Sequence, residues 1–174
     1  MLAYVQTLLH VAVRKKGPED LPDSRFLLGL TFVVYLLMQI PLGWIAYGPS
    51  DILLSTVVTS VLMVILGLWA LLVLTGYRSR FRQSLTAMLG VNALLSALSI
   101  PFSFWRDMAI DAQTSVALPS TIIFALMVWS LVVDGHIISR AISKPFGIGL
   151  MIAIAFFFLH TAVLFELMPD SPAS

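Results

Sequence analysis

The sequence predicts an all-α polytopic membrane protein with five transmembrane helices and an N-terminal amphipathic helix in the membrane interface. Hydrophobic residues make up 59% of the 174-residue chain and charged residues 11%, whereas soluble domains average about 45–50% and about 25%. Residues 26 to 167 hold five apolar runs, each near the length of about 20 residues that a spanning helix needs. Basic residues are concentrated on one side of these runs. Lipid is therefore the expected surroundings of most apolar side chains.

Residues 1–24 are predicted to form an interfacial amphipathic helix and a cytoplasmic loop. The stretch from 2 to 14 is too short and too polar to span a bilayer. Its apolar side chains recur at helical spacing, at Leu2, Val5, Leu9 and Ala12. A basic cluster follows, Arg14, Lys15 and Lys16, which anionic lipid head groups would attract. Membrane anchoring is the expected role, and docking of a partner is the alternative.

Residues 25–167 are predicted to form the transmembrane domain, and residues 168–174 a short external tail. The apolar runs place the spans at about 26–47, 52–75, 85–105, 121–142 and 146–167. Three polar residues precede spans and can accept hydrogen bonds from the first-turn N–H groups, namely Ser24, Asp51 and Ser120. Gly76 stands where the second span should end.

The basic residues predict the orientation. With five spans, nine of the ten lysines and arginines fall on one side of the membrane, and only Arg106 falls on the other. Cytoplasmic segments carry such an excess, so the N-terminus is expected in the cytoplasm and the C-terminus outside. Short loops without an organelle signal favour a bacterial inner membrane. The candidate lipid head-group contacts are Arg14, Lys15, Lys16, Arg78, Arg80 and Arg82.

Polar side chains inside the spans are the candidate functional residues: Asn92, Asp134, His136, Arg140 and His160. Asp134 lies about 9 Å deeper than Arg140 by helical rise, and it points about 160° away from His136 around the helix. An ionised carboxylate at that depth is costly unless it is paired, hydrated or protonated. Gly135 beside it could admit a close neighbour or water.

These residues allow two interpretations. In the functional one, Asp134, His136 and His160 form a proton-accessible polar path, since histidine titrates near neutrality. In the structural one, Asp134 and Arg140 sit at the head-group boundary, and the serines of the spans are packing contacts. The residues favour the structural interpretation, because long charged side chains near a membrane face can reach water.

Enzyme chemistry finds little support in the sequence. The chain has no cysteine, and it contains no HExxH, GxSxG or P-loop motif. Its three histidines are scattered, so neither a metal site nor a cofactor is expected. The net charge of +1 offers no basic surface for nucleic acid. A lipid-modifying membrane enzyme remains a minor alternative.

Three segments accompany the five-span layout: GPEDLPDS at 17–24, Gly76-Tyr77 after the second span, and VVDGHIISRAI at 132–142. In these features, residues 15 to 167 resemble the Yip-type membrane proteins, although the longer cytoplasmic domain of the eukaryotic members is missing. The resemblance implies a non-enzymatic role in membrane organisation or as a partner of other membrane proteins. It implies no catalytic residues.

The leading functional hypothesis is a non-enzymatic accessory or assembly subunit of a larger membrane complex. Because its loops are short, the protein would interact through lateral helix contacts with other integral proteins, through membrane lipids and through its basic face. The alternative is a transporter or channel component that moves protons, ions or a small amphiphile by way of Asp134, His136 and His160. Five spans do not divide into two equal repeats, which counts against a transporter that works as a monomer.

Overall fold

The structure is a computed structural model that describes residues 2–48 and 51–167, and within these ranges it contains six α-helices and no strand. The helices are α1 (Leu2–Ala12), α2 (Arg25–Tyr47), α3 (Asp51–Leu74), α4 (Phe81–Asp111), α5 (Ala117–Ala141) and α6 (Phe146–Leu167). Short 3-10 turns lie at Pro18–Asp20 and Arg78–Arg80. The predicted tail, residues 168–174, lies outside the described residues. The backbone of Asp51 is described but its side chain is not, so the cap predicted there also lies outside the description.

Helices α2 to α6 are long and apolar enough to cross a membrane, so the prediction of an all-α protein with five such helices is confirmed. Two details differ from the sequence prediction. Helix α4 has 31 residues and is about 46 Å long, so it exceeds the predicted span 85–105 at both ends. Helix α5 begins at Ala117, which places Ser120 inside its first turn and makes the cap predicted there wrong.

Two predicted helix boundaries are confirmed. The Ser24 hydroxyl accepts a hydrogen bond from the Leu27 N–H at 3.4 Å, as an N-cap does. Gly76 ends the turn after α3 with a φ of 83°, a left-handed conformation that glycine adopts without a Cβ penalty. These local signals therefore fix where α2 starts and where α3 stops.

The five long helices close into a ring. Helix α4 packs against α2 on one side and α5 on the other, α6 packs on α5, and α3 completes the ring between α6 and α2. The α5–α6 seam is the tightest, because its glycines bring the two backbones together. A Cβ on Gly149 would lie 2.2 Å from the Gly135 carbonyl oxygen, and one on Gly135 would lie 2.7 Å from Leu150 Cα. The close neighbour expected at Gly135 is thus α6.

Helix α1 packs on this ring. Its Leu8 and Val11 are buried, and Leu8 lies so close to α4 that a Cβ on Gly90 would be 2.8 Å from it. The predicted apolar stripe is divided: Val5 and Leu9 point away from the ring, at 43% and 51% exposed, whereas Ala12 is buried at 7%. The helix expected in the interface is present, and its second apolar face is available to lipid.

Two hydrogen bonds tie α1 to the spanning helices. Tyr4 Oη lies 2.5 Å from Thr31 Oγ1, and the Thr31 hydroxyl already donates to the Leu27 carbonyl, so Tyr4 is the donor. Burial raises the pKa of Tyr4, which keeps this donor protonated. The Trp129 indole N–H donates to the Ala12 carbonyl at 2.9 Å. The N-terminal helix is therefore an integral part of the fold.

Nine of the ten basic residues lie at one end of the ring, where α2, α4 and α6 begin and α3 and α5 end. We call this the basic end. The lead-in segment 17–24 is fastened across it, because Arg82 pairs with Asp23 at 2.8 Å and Gln83 donates to the Leu21 carbonyl.

Candidate functional site

A cavity of about 220 Å³ lies inside the helix ring, and its lining is mainly apolar with a set of polar side chains. Polar side chains from four helices line it: Tyr35, Gln39, Ser60, Ser130, Asp134 and His160. We call it the Asp134 cavity. At about 30 Å³ for each water in the liquid, its volume is enough for several water molecules. A mainly apolar cavity with a few polar and ionisable groups is where a functional site is expected in a helix bundle.

Helical periodicity brings these side chains to the interior. Ser130, Asp134 and Ile138 are four residues apart on α5 and all line the cavity. Tyr35 and Gln39 have the same spacing on α2. On α2 and α5 the interior face is therefore a stripe in which polar residues interrupt an otherwise apolar pattern.

Asp134 has one hydrogen-bond donor and no cationic partner within the described residues. Asn92 Nδ2 donates to Asp134 Oδ1 at 3.0 Å, while the salt bridges of the described ranges are Arg82–Asp23 and Arg140–Glu19. A carboxylate offers about four lone-pair sites, so most of its capacity is left for whatever the cavity holds. A proton, water or a small cation would satisfy it.

Asn92 is the residue that holds Asp134 in place. It lies one turn from Met88, which lines the cavity, and Asn92 itself lines the neighbouring groove between α4 and α5. An amide donor to a carboxylate is a charge-assisted bond, stronger than a neutral one. The pairing of these two candidates across α4 and α5 was not predicted from the sequence.

His160 joins α6 to α3. Its Nε2 lies 2.9 Å from Ser60 Oγ, and the Ser60 hydroxyl lies 2.8 Å from the Thr56 carbonyl. When Ser60 donates to Thr56, His160 must donate to Ser60, and when Ser60 rotates toward His160 the ring nitrogen accepts. The direction of the hydrogen bond between these two helices therefore depends on which nitrogen of His160 carries the proton.

Tyr35 and Gln39 lie on α2, and by helical rise Tyr35 is at a depth between Asp134 and His160, while Gln39 is near the His160 level. Gln39 Nε2 donates to Tyr35 Oη at 2.6 Å, and Tyr35 is only 4% exposed. By helical rise, Gln39 is about 12 Å from the end of α2 at Tyr47. The phenol and the amide thus form a polar step between the Asp134 level and the His160 level.

The residues that border the cavity differ between its two ends. Toward the basic end it meets the apolar side chain of Ile138, which is 0% exposed, and Leu68 and Met88, 1% and 6% exposed, line it at about the Asp134 level. Toward the opposite end two grooves adjoin it. The α2–α3 groove shares Gln39 with the cavity and reaches Tyr47, while the α4–α5 groove shares Ser130 and reaches Ser103.

The remaining sequence candidates lie elsewhere. His136 is on the opposite face of α5 from Asp134, where its Nε2 is 3.0 Å from the Lys16 carbonyl, so a single path through all three candidates does not form. Arg140 pairs with Glu19, and its Nε is 2.7 Å from Glu19 Oε1.

The six candidate head-group contacts all lie at the basic end. Arg14 is 5.0 Å from the centroid of the Phe146 ring and Arg78 is 5.7 Å from that of Trp69. Arg80 donates to the last carbonyls of α5, and Arg82 pairs with Asp23. Lys15 and Lys16 are exposed.

Comparison with known proteins gives no assignment. No family model, curated protein or solved structure matches this chain. The resemblance to Yip-type proteins therefore stays a prediction. Within the described ranges, no three His, Asp or Glu side chains converge as a metal site requires. The Asp134 cavity is the arrangement on which a function can be argued.

Proposed function

We propose that this protein is a transporter or channel component that binds a proton or a small monovalent cation at Asp134 within the membrane. The observation that carries the proposal is the Asp134 carboxyl, which meets one amide donor and otherwise lines a cavity that also holds the side chains of Tyr35 and His160. A carboxylate in hydrocarbon without a counter-ion is unfavourable by about 2.5–3.5 kcal/mol on insertion scales. Binding a cation or a proton removes this penalty.

The position of Asp134 favours this function over a structural role at the head-group boundary. Arg140 is engaged by Glu19 and lies on a different face, so it does not neutralise Asp134. Asn92 satisfies part of the carboxyl and leaves the rest open. A carboxylate kept for packing alone would be expected to have its lone pairs satisfied by protein groups.

The lining suggests how the bound species would arrive. His160 with Ser60, then Gln39 with Tyr35, stand between Asp134 and the end opposite the basic end. Ile138, one turn nearer the basic end than Asp134, is fully buried, and the buried Leu68 and Met88 line the cavity at about the Asp134 level. We infer access from one side in this conformation, which is the outer side of a bacterial inner membrane if the basic end is cytoplasmic.

Proton flux in proteoliposomes tests the proposal. The protein is reconstituted into liposomes in both orientations, a pH gradient is imposed, and the internal pH is followed with a trapped dye. Asp134→Asn should reduce flux to the level of empty liposomes, because the amide cannot bind or release a proton. Asp107→Asn, at an exposed carboxylate near the end of α4, is the matched control and should retain the wild-type rate. Equal flux in wild type and Asp134→Asn would refute the proton-transport proposal.

An accessory-subunit role is the second candidate. It is favoured by the spanning segments of α2, α3 and α6, in which only 17%, 17% and 11% of the residues are buried. Lipid or a neighbouring integral protein would cover these faces. Extraction in mild detergent with mass spectrometry of the co-purifying chains tests it: a stoichiometric partner supports this role, and a lone monomer contradicts it.

A further inference from the structure

A second cavity, of about 430 Å³, lies at the basic end between the 3-10 turn Pro18–Asp20, the start of α4 and the end of α5. Its lining includes Glu19, Arg80, Ser84, Arg140, Ser143 and Lys144. We call it the basic-end pocket. It is separate from the Asp134 cavity and shares no lining residue with it.

We propose that the basic-end pocket binds a phosphate-bearing anion. Three cationic side chains line it, Arg80, Arg140 and Lys144, against the single carboxylate of Glu19. Arginine presents a planar fork of N–H donors that fits phosphate oxygens, and lysine adds a point charge. The surplus of positive charge and the size of the cavity suit a phosphate group.

Glu19 occupies the place that such an anion would take. Its carboxylate accepts hydrogen bonds from both Nε and Nη2 of Arg140, with Nε at 2.7 Å. The Glu19 side chain folds back over Gly17, where an added Cβ would lie 2.2 Å from the carboxylate. A flexible, half-exposed carboxylate on the fork of Arg140 is thus an internal stand-in, and an incoming phosphate would displace it.

Two further side chains in the pocket have no polar partner among the described residues. Ser84 is fully buried, and its hydroxyl makes no hydrogen bond within the described part of the chain. Burying a hydroxyl without a partner is unfavourable, so a ligand oxygen near Ser84 would satisfy it. Lys144 is exposed and makes no salt bridge with any described carboxylate.

Arg80 is held in place at the pocket by α5. Its Nη1 donates to the Ala141 carbonyl at 3.0 Å and to Ser143 Oγ at 2.7 Å, and its guanidinium carbon is 4.6 Å from the centroid of the Tyr77 ring. These contacts use Nη1 and leave Nη2 and Nε as donors. A guanidinium fixed by the protein loses little freedom when it binds an anion.

The test is binding to the full-length protein in maltoside micelles, which contain no phosphate, with two probes. The first is inorganic phosphate, and the second is dioctanoyl phosphatidylglycerol with dioctanoylglycerol as its phosphate-free control. Glu19→Gln should bind the active probe about threefold or more tightly, since the internal competitor loses its charge. Arg140→Gln should bind it about tenfold more weakly, because a charge-assisted pair is lost.

Arg82→Gln and Asp23→Asn are the matched controls, because they break the neighbouring ion pair outside the pocket. Both should change affinity by less than about twofold. If Arg140→Gln does not fold, Lys144→Gln on the exposed rim takes its place, with weaker binding expected.

The two probes separate the source of the anion. Binding of phosphatidylglycerol alone identifies a lipid head group, and binding of inorganic phosphate identifies a soluble anion. Binding of neither probe would overturn the proposal. An equal loss of affinity in Arg82→Gln and Arg140→Gln would also overturn it, since the basic end would then attract anions without a site.

Discussion

Replacing Gly149 by alanine should separate α5 from α6 and destabilise the protein. The new Cβ would lie 2.2 Å from the Gly135 carbonyl oxygen and 2.6 Å from Ser139 Cβ, whereas ordinary contacts begin at 3.4 Å. These are backbone and stem atoms, so no side-chain rotation relieves the overlap, and the helices must move apart by about 1 Å. Overpacking of this kind costs about 1–3 kcal/mol.

Gly147→Ala is the matched control on the same helix. Nothing lies within 4 Å of a Cβ built on Gly147, so this change adds the same methyl group and the same helix propensity without a clash. For a chain of this size, about 2 kcal/mol corresponds to roughly 4–8 °C in melting temperature. Gly149→Ala should therefore melt lower than wild type by that amount, while Gly147→Ala should melt at or slightly above the wild-type temperature.

The assay is thermal unfolding in mild detergent, followed by the loss of helical circular dichroism. Proton flux measured in the same variants shows whether the seam also positions the site, because Asp134 is the neighbour of Gly135 and His160 is on α6. Equal melting temperatures for Gly149→Ala and Gly147→Ala would refute the close backbone contact between α5 and α6.

Three further predictions concern single side chains. His160→Phe should lower proton flux about 100-fold or more, as loss of a positioned proton-transfer group does, whereas His136→Phe, on the opposite face of α5, should leave it within about twofold; equal effects of the two changes would contradict the assigned cavity lining. Tyr4→Phe should lower the free energy of unfolding by about 0.5–1.5 kcal/mol, because the hydrogen bond to Thr31 is lost, and unchanged thermal unfolding would count against the docking of α1. Arg82→Gln should lower the free energy of unfolding by less than about 1 kcal/mol, because its ion pair with Asp23 is exposed. A larger decrease would contradict the small contribution assigned to this ion pair.

The spans could be predicted because lipid demands length and apolarity, and both are local properties of the sequence. The helix start at Ser24 and the stop at Gly76 were also predictable from single residues. The packing face of α1 was not, because Val5 and Leu9 form a stripe as apolar as the one through Leu8. Its partner, the surface at Gly90, is set by tertiary packing that periodicity does not contain.

The candidate site was predicted only in part, because single residues can be read from the sequence but their partners on other helices cannot. A carboxylate at Asp134 and a histidine at His160 stand out in apolar runs, and both line the cavity. Their hydrogen-bond partners depend on the register between helices, which the sequence of one helix does not specify. Tyr35 and Gln39 were missed, although their spacing of four residues on one face of a span was a signal that could have found them.

The most direct test of the Asp134 cavity is its reaction with dicyclohexylcarbodiimide, an apolar reagent that modifies protonated carboxyl groups within membranes. The protein in native membranes is treated, digested and sequenced by mass spectrometry, with and without added sodium ions. Modification at Asp134 and not at the exposed Asp107 is the predicted result, and protection by sodium would identify a cation in place of a proton. An unmodified Asp134 under conditions that label other intramembrane carboxyl groups would contradict an accessible, protonatable site in the cavity.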